Sequence, residues 1–267
     1  MTATAVLPRP AGRPVADRSP VPICRAVAYQ RVVHQLVRRE LRLLAELSTW
    51  APAAEPGRTQ ALTRHAELIG RVMLHHHRVE RDLLWPALQR ALPGDDGLRD
   101  RVADWAARCA RIDHKLRDLA TAARQWGVAG TCAARDSFAM ACLDLADAVD
   151  AQTAEEERTL HPLLADHLDS AAWSAIVCSV RSDLSPTEQT LVLGLALEDA
   201  CAGDRARLLS GLPLARRLAW RTVGAGRFRA AVVRLRGAPP ALQRRDDERP
   251  AADAAGRSSS AAGSGQR

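Results

Sequence analysis

The segment Leu74-His-His-His-Arg-Val-Glu80-Arg-Asp-Leu-Leu-Trp85-Pro86 sets three histidines and a glutamate in one short run. It lies in a helix expected over about Thr59 to Leu92, which the Pro93-Gly94 pair stops. Four-residue spacing puts His76 and Glu80 on one helix face, where adjacent turns can grip a single cation. Imidazole paired with carboxylate inside a helical bundle suits iron, manganese or zinc. The same pair alone would serve as well as a solvated surface ion pair, and an internal repeat decides between the two. His76-x3-Glu80-x5-Pro86-Ala-Leu88 is echoed 76 residues later by Gln152-x3-Glu156-x5-Pro162-Leu-Leu164, and His34-Gln-Leu36 by His114-Lys-Leu116 at an offset of 80.

Working outward, apolar residues at three- and four-residue steps from Val27 to Leu47 predict a first helix between about Pro22 and Trp50. A third is expected from about Asp96 to Trp126 and a fourth from about Ala133 to Leu168. Short connections between four long helices force neighbours to run antiparallel, so the fold class is all-α, an up-down-up-down four-helix bundle. The bundle is expected over residues 22–168. Residues 169–236 read as a helical extension, with stretches at about 171–182, 186–201 and 204–235, the second opening on Ser185-Pro-Thr-Glu188. The Pro- and Arg-rich residues 1–21 and the Ser/Gly-ending residues 237–267 are expected to be disordered tails.

All eight histidines fall within the four bundle helices. Counted from the helix ends at about 1.5 Å per residue, His34, His76, His114 and Glu156 lie at levels agreeing within roughly 10 Å, which allows one site in mid-bundle. On the third helix, His114 and Asp118 are again four apart and form a second candidate pair. His77, three residues before Glu80, is a candidate alternative ligand or supporting donor. His65, His161 and His167 read as structural or exposed. Pro86, without an amide proton, is expected to bend or end its helix just past Glu80.

These residues resemble the hemerythrin-like, HHE cation-binding family over about residues 22–168. The resemblance rests on His34-Gln-Leu-Val-Arg-Arg-Glu-Leu41, the Leu74–Pro86 segment, His114, and Glu155-Glu156-Glu157 ahead of Pro162. It implies a four-helix bundle around non-heme iron, with His34, His76, Glu80, His114 and Glu156 as ligands and the two glutamates placed to bridge two metals. It further implies that the bound ion meets oxygen, nitric oxide or peroxide in sensing, redox response or detoxification, with no conventional catalytic residues. The chain departs from the pattern at three points: Gln152 where a histidine is usual, Arg81 where an aspartate is usual, and Asp118 where oxygen carriers have a second histidine.

The 267-residue chain carries a formal net charge of +7, and Lys115 is its one lysine. From Asp204 onward there are 14 arginines against five acids. That basic segment reads either as a solvated Arg-rich face or as a contact for nucleic acid or another acidic partner. A second function class follows from it: a bundle that has lost its metal and serves as an interaction module. Six cysteines without a CxxC pair read as free thiols. With no signal-peptide core and no apolar run of bilayer length, the expected location is the cytoplasm and no membrane contact is expected. No nucleophile elbow or phosphate-cradling glycine loop is present, which excludes conventional hydrolase and P-loop readings.

Overall fold

The computed structural model describes residues 24–237, and all regular structure among them is helical. The tails expected at 1–21 and beyond Gly237 lie outside the described residues. Four long helices pack in a closed ring: α1 (Arg25–Thr49) against α2 (Pro56–Val79), α2 against the helix that runs Asp96–Ala129, that helix against Cys132–Thr159, and Cys132–Thr159 back onto α1. Between α2 and the Asp96 helix, a π-helical turn (Glu80–Leu84) leads into α3 (Trp85–Ala91); the two remaining long helices are α4 (Asp96–Ala129) and α5 (Cys132–Thr159).

Local chemistry sets the ends. Asp95 and Thr131 cap α4 and α5 with their side-chain oxygens, accepting from the amides of Leu98 and Ala134. Gly130 closes α4 at φ 58°, a left-handed conformation natural to glycine. Proline acts differently at the two repeat positions. Pro86 offers no N–H to the carbonyl four residues back, and the chain absorbs this with the π turn, in which the Trp85 amide donates to the Glu80 carbonyl. The helix continues to Ala91 instead of ending. At Pro162 the expected single fourth helix divides at Leu160, and α6 (His161–His167) restarts. Pro162 has no N–H to give the carbonyl of Arg158, four residues back, so the ladder of α5 loses a bond there.

Two apolar clusters fill the ring. One holds Leu36, Leu41 and Leu44 of α1, Leu62, Ile69 and Met73 of α2, Ile112, Leu119 and Trp126 of α4, and Phe138, Leu145 and Val149 of α5. The other holds Val27, Val79, Leu84, Trp85, Leu88, Leu98, Trp105, Leu160 and Leu164. Along the course of each long helix, membership switches from one cluster to the other near a few buried polar residues. The switch runs from the second cluster to the first along α1 and α4, and the reverse along α2 and from α5 into Leu160 and the helix that follows it. A polar layer therefore separates two dry cores.

The extension comprises α7 (Ser170–Ser179), α8 (Pro186–Glu198), α9 (Ala202–Ser210), α10 (Leu214–Ala219), a second π turn (Trp220–Gly224) and α11 (Ala225–Arg236). Ser185 and Glu188 form a capping box that starts α8. Leu195, Phe228 and Val232 join the first apolar cluster. Glu40, wholly buried on α1, receives Arg236 at 2.6 Å, Arg39 at 2.8 Å and His65 at 2.8 Å, while Arg236 also reaches Glu198 at 2.7 Å. One basic residue of the C-terminal segment is thus committed to holding α11 on the bundle. No described helix is long and apolar enough to cross a membrane.

Gly194 is where α8 meets α11, and a Cβ there would lie 2.2 Å from the Phe228 ring. Gly194→Ala is expected to destabilise the protein by about 1–3 kcal/mol through overpacking. Chemical denaturation checks the sign: an undocked α11 would leave only the helix-propensity gain of alanine, and stability would rise.

Candidate metal centre

Between the two apolar clusters α1 contributes Gln30 and His34, α2 contributes His76 and His77, the π turn opens with Glu80, and α5 supplies Gln152 and Glu156. All seven side chains are buried. His34 Nε2 lies 2.9 Å from His76 Nε2 and 3.4 Å from Glu156 Oε2, and His76 Nε2 lies 3.5 Å from Glu80 Oε1. Gln30 donates to Glu80 Oε1 at 2.9 Å, and Gln152 donates to Glu156 Oε1 at 2.5 Å. One donor atom each from His34, His76 and Glu156 falls within 4.8 Å of the others, and the same holds for His77, Glu80 and Cys109.

The hydrogen bonding of the first group is incomplete in a way that fits a cation. His34 Nδ1, His76 Nδ1 and Glu156 Oε2 have no hydrogen-bond partner. If one Nε2–H donates to the other ring, the accepting ring must carry its proton on Nδ1, a buried donor facing nothing. An orphan of this kind costs about 1–3 kcal/mol. A cation among the three groups removes the problem, because both Nε2 lone pairs then face it. Burial lowers the pKa of His34 to about 3 and that of His76 well below its usual value, so both rings stay neutral, the form that ligates. Burial raises Glu80 to about 7 and Glu156 well above the carboxylate range, the latter helped by repulsion from Glu80. Two acids facing each other without a counter-charge hold protons that a divalent ion would displace.

The structure brings together His34, His76, His77, Glu80, Gln152 and Glu156 of the residues singled out in the sequence. It does not bring His114 and Asp118, which stand on the solvent face of α4 with side chains 69% and 61% exposed, paired with each other at 3.7 Å. The buried stripe of that helix is Trp105, Cys109, Ile112, Leu116, Leu119, Ala123 and Trp126, and position 114 lies off it. The α4 residues that face the layer are Cys109 and Asp113, likewise four apart. Cys109 donates its thiol to Glu80 Oε2 at 3.7 Å, and Asp113 accepts from His77 Nδ1 at 2.6 Å. Residue type drew attention to His114, whereas the phase of the apolar stripe points to Cys109. Gln30, four residues before His34, carried the same spacing signal.

Around the layer, arginines are paired with acids: Arg38 with Asp150, Arg78 with Asp183, Arg81 with Asp113, and Arg39 within the Glu40 network. His65 is buried against Glu40, His161 is buried, and His167 is exposed. Tyr29 packs its ring 5.6 Å from that of His76 and 5.3 Å from that of Trp173. It also lines two cavities, of about 560 and 380 Å³, that open between the bundle and the extension.

The model of the hemerythrin HHE cation-binding domain matches residues 25–164. The chain belongs to the hemerythrin family. The hemerythrin domain thus spans α1 to α6 up to Leu164 and encloses the entire polar layer, while the extension follows it. No curated protein and no solved structure gave a match. Cation binding, the property in the family's name, agrees with the orphaned donors of the layer.

The carboxylates give a pH test on the metal-free hemerythrin domain within the full chain. Glu80 binds its proton more tightly folded than unfolded, so its contribution is greatest below about 4.5 and is lost as pH rises through about 7. His34 and His76 act oppositely, losing stability as pH falls below 6.5. The comparison with Glu80→Gln isolates the carboxylate: the stability of wild type relative to that variant should fall between pH 4.5 and 7.5 in urea titrations of metal-free protein. A flat difference would mean that Glu80 is ionised throughout.

Proposed function

We propose that the protein is a hemerythrin-like iron protein in which His34, His76, Glu80 and Glu156 hold non-heme iron that meets oxygen, nitric oxide or peroxide. The observation that carries this reading is the convergence of the His34, His76 and Glu156 donor atoms, all buried, with ring nitrogens and a carboxylate oxygen left unpartnered. The up-down-up-down bundle of residues 22–168, with 169–236 as its extension, is supported by the alternating order in which the four long helices traverse the two apolar clusters.

Bound iron would supply the redox and ligand-binding chemistry. The chain's own contributions are separate. Neutral imidazoles present Nε2 lone pairs without needing to shed protons. The two glutamates neutralise a divalent ion inside a low-dielectric layer, and Gln30 and Gln152 fix their orientation by donating to Oε1 of each. Both apolar clusters keep bulk water away from the layer on either side. Tyr29, between His76 and the two cavities, forms the wall past which a small uncharged ligand such as O2 or NO would arrive. Burial and the Glu80 charge push its phenol pKa upward, so it stays a neutral donor.

Anaerobic loading with ferrous iron tests this. Wild type is expected to retain at least one iron per chain and, on admission of air, to develop a near-ultraviolet charge-transfer band. His76→Ala combined with Glu80→Ala is expected to lose all stoichiometric iron while keeping its helical circular dichroism. Iron retained by that variant would overturn the assignment.

A further inference from the structure

His77, Glu80 and Cys109 form a group that iron at His34 and His76 does not explain. His77 follows His76 directly, about 100° further round the helix, yet its side chain is also wholly buried. Its Nδ1 lies 2.6 Å from Asp113 Oδ1; a carboxylate can only accept, so Nδ1 carries a proton. Asp113 is held in turn by Arg81 at 3.1 Å. This leaves Nε2 aimed inward, and it has no hydrogen-bond partner. A carboxylate on the far nitrogen that fixes ring and tautomer is the usual support of a metal-binding histidine.

The other two donors lie beside this ring. His77 Nε2 or Nδ1, one Glu80 oxygen and Cys109 Sγ lie within 4.8 Å of one another, and only Nε2 is unengaged. The Glu80 carboxylate is divided between the two groups: Oε1 lies 3.5 Å from His76 Nε2, while Oε2 receives the Cys109 thiol at 3.7 Å. Gln152 Nε2 lies 3.5 Å from Cys109 Sγ and donates to it. An N–H aimed at sulfur favours the thiolate that a cation would require. This gives Gln152 a role a neutral histidine, with its single N–H, could not fill, since one side-chain amide donates to both Cys109 and Glu156.

We propose that His77, Glu80 and Cys109 are a second metal position, distinct in its donors from the first, that takes a thiophilic divalent ion of the zinc class. The donor set carries the choice of ion: thiolate with imidazole and one carboxylate is a tetrahedral zinc-type set, whereas the neighbouring His34, His76 and Glu156 offer only nitrogen and oxygen. On binding, the Cys109 S–H bond breaks, its proton leaves to solvent, and the sulfur electron pair goes to the metal with no change of oxidation state. Donor separations up to 4.8 Å must contract modestly for bonds of roughly 2.0–2.3 Å. The inference rests on the polar layer's being a metal centre but not on iron at the first position.

Cobalt(II), a spectroscopic stand-in for zinc, is the probe. The full chain carries Cys132→Ser, Cys178→Ser and Cys201→Ser so that exposed thiols do not contribute. Anaerobic titration should give two equivalents of cobalt per chain, with a thiolate-to-cobalt charge-transfer band accompanying one of them. Adding Cys109→Ser should remove the band and one equivalent; His77→Ala, a second route to the same loss, guards against misfolding of the first variant. His34→Ala should remove the other equivalent and keep the band. One equivalent without the band, abolished by His34→Ala, would overturn this inference and leave the iron reading standing. Two equivalents without a Cys109-dependent band would also overturn it, and no bound cobalt together with no retained iron would overturn both.

Discussion

Uncompensated acid groups in a dry interior are the constraint on which this fold depends. Glu80 and Glu156 sit with three buried imidazoles between two apolar clusters, and nothing inside the layer supplies fixed positive charge at the His34, His76 and Glu156 group. Burial of an unpaired charge costs enough that the group sheds its charge instead, by protonation or by taking a cation. The directions in which Glu80, Glu156, His34 and His76 are displaced from their ordinary pKa values express the same conflict four times. The remaining architecture bears on keeping that layer dry and its donors aimed.

Another buried acid, Glu40, is resolved by the opposite means. Three basic side chains converge on it, and they hold its pKa down at about 2. One of them comes from α11, 196 residues away in sequence. The contrast between Glu40 and Glu80, one ringed by basic side chains and one in a layer without them, separates a structural acid from a ligating one within a single bundle. It also shows why a local excess of arginine is a poor guide to partners: Arg236 is part of the interior scaffold.

Much of the centre could be read from the sequence, because the repeat coupled residue type to spacing. His76 and Glu80, and their counterparts Gln152 and Glu156, were legible as a pair of related helix turns, and His34 followed from the shorter echo. The family resemblance rested on the same residues, and the all-helical class on the apolar periodicity around them. What escaped was the third side of the layer. Cysteine and aspartate at 109 and 113 look ordinary, and only the buried stripe through Trp105, Ile112, Leu116 and Leu119 identifies which way they face. The response to Pro86 was also illegible, since a missing amide proton can stop, bend or widen a helix, and packing of Trp85 and Leu88 into the second cluster selects the π turn. The contact between Arg236 and Glu40 has no local signature at all.

Proline stands six residues after each layer glutamate, and on both occasions the regular hydrogen-bond ladder gives way directly beyond the carboxylate: by a π turn after Glu80 and by a break at Leu160 after Glu156. Two of the four long helices therefore carry a mechanical joint at one level, on the same side of the layer, while the opposite side is continuous helix on all four. Stiffness is unevenly distributed along the barrel of helices. Rearrangement of the carboxylates can be taken up at the joints, by small tilts of α3 and α6, and the longer core built on Leu41, Ile69 and Phe138 acts as the fixed jaw of a vice.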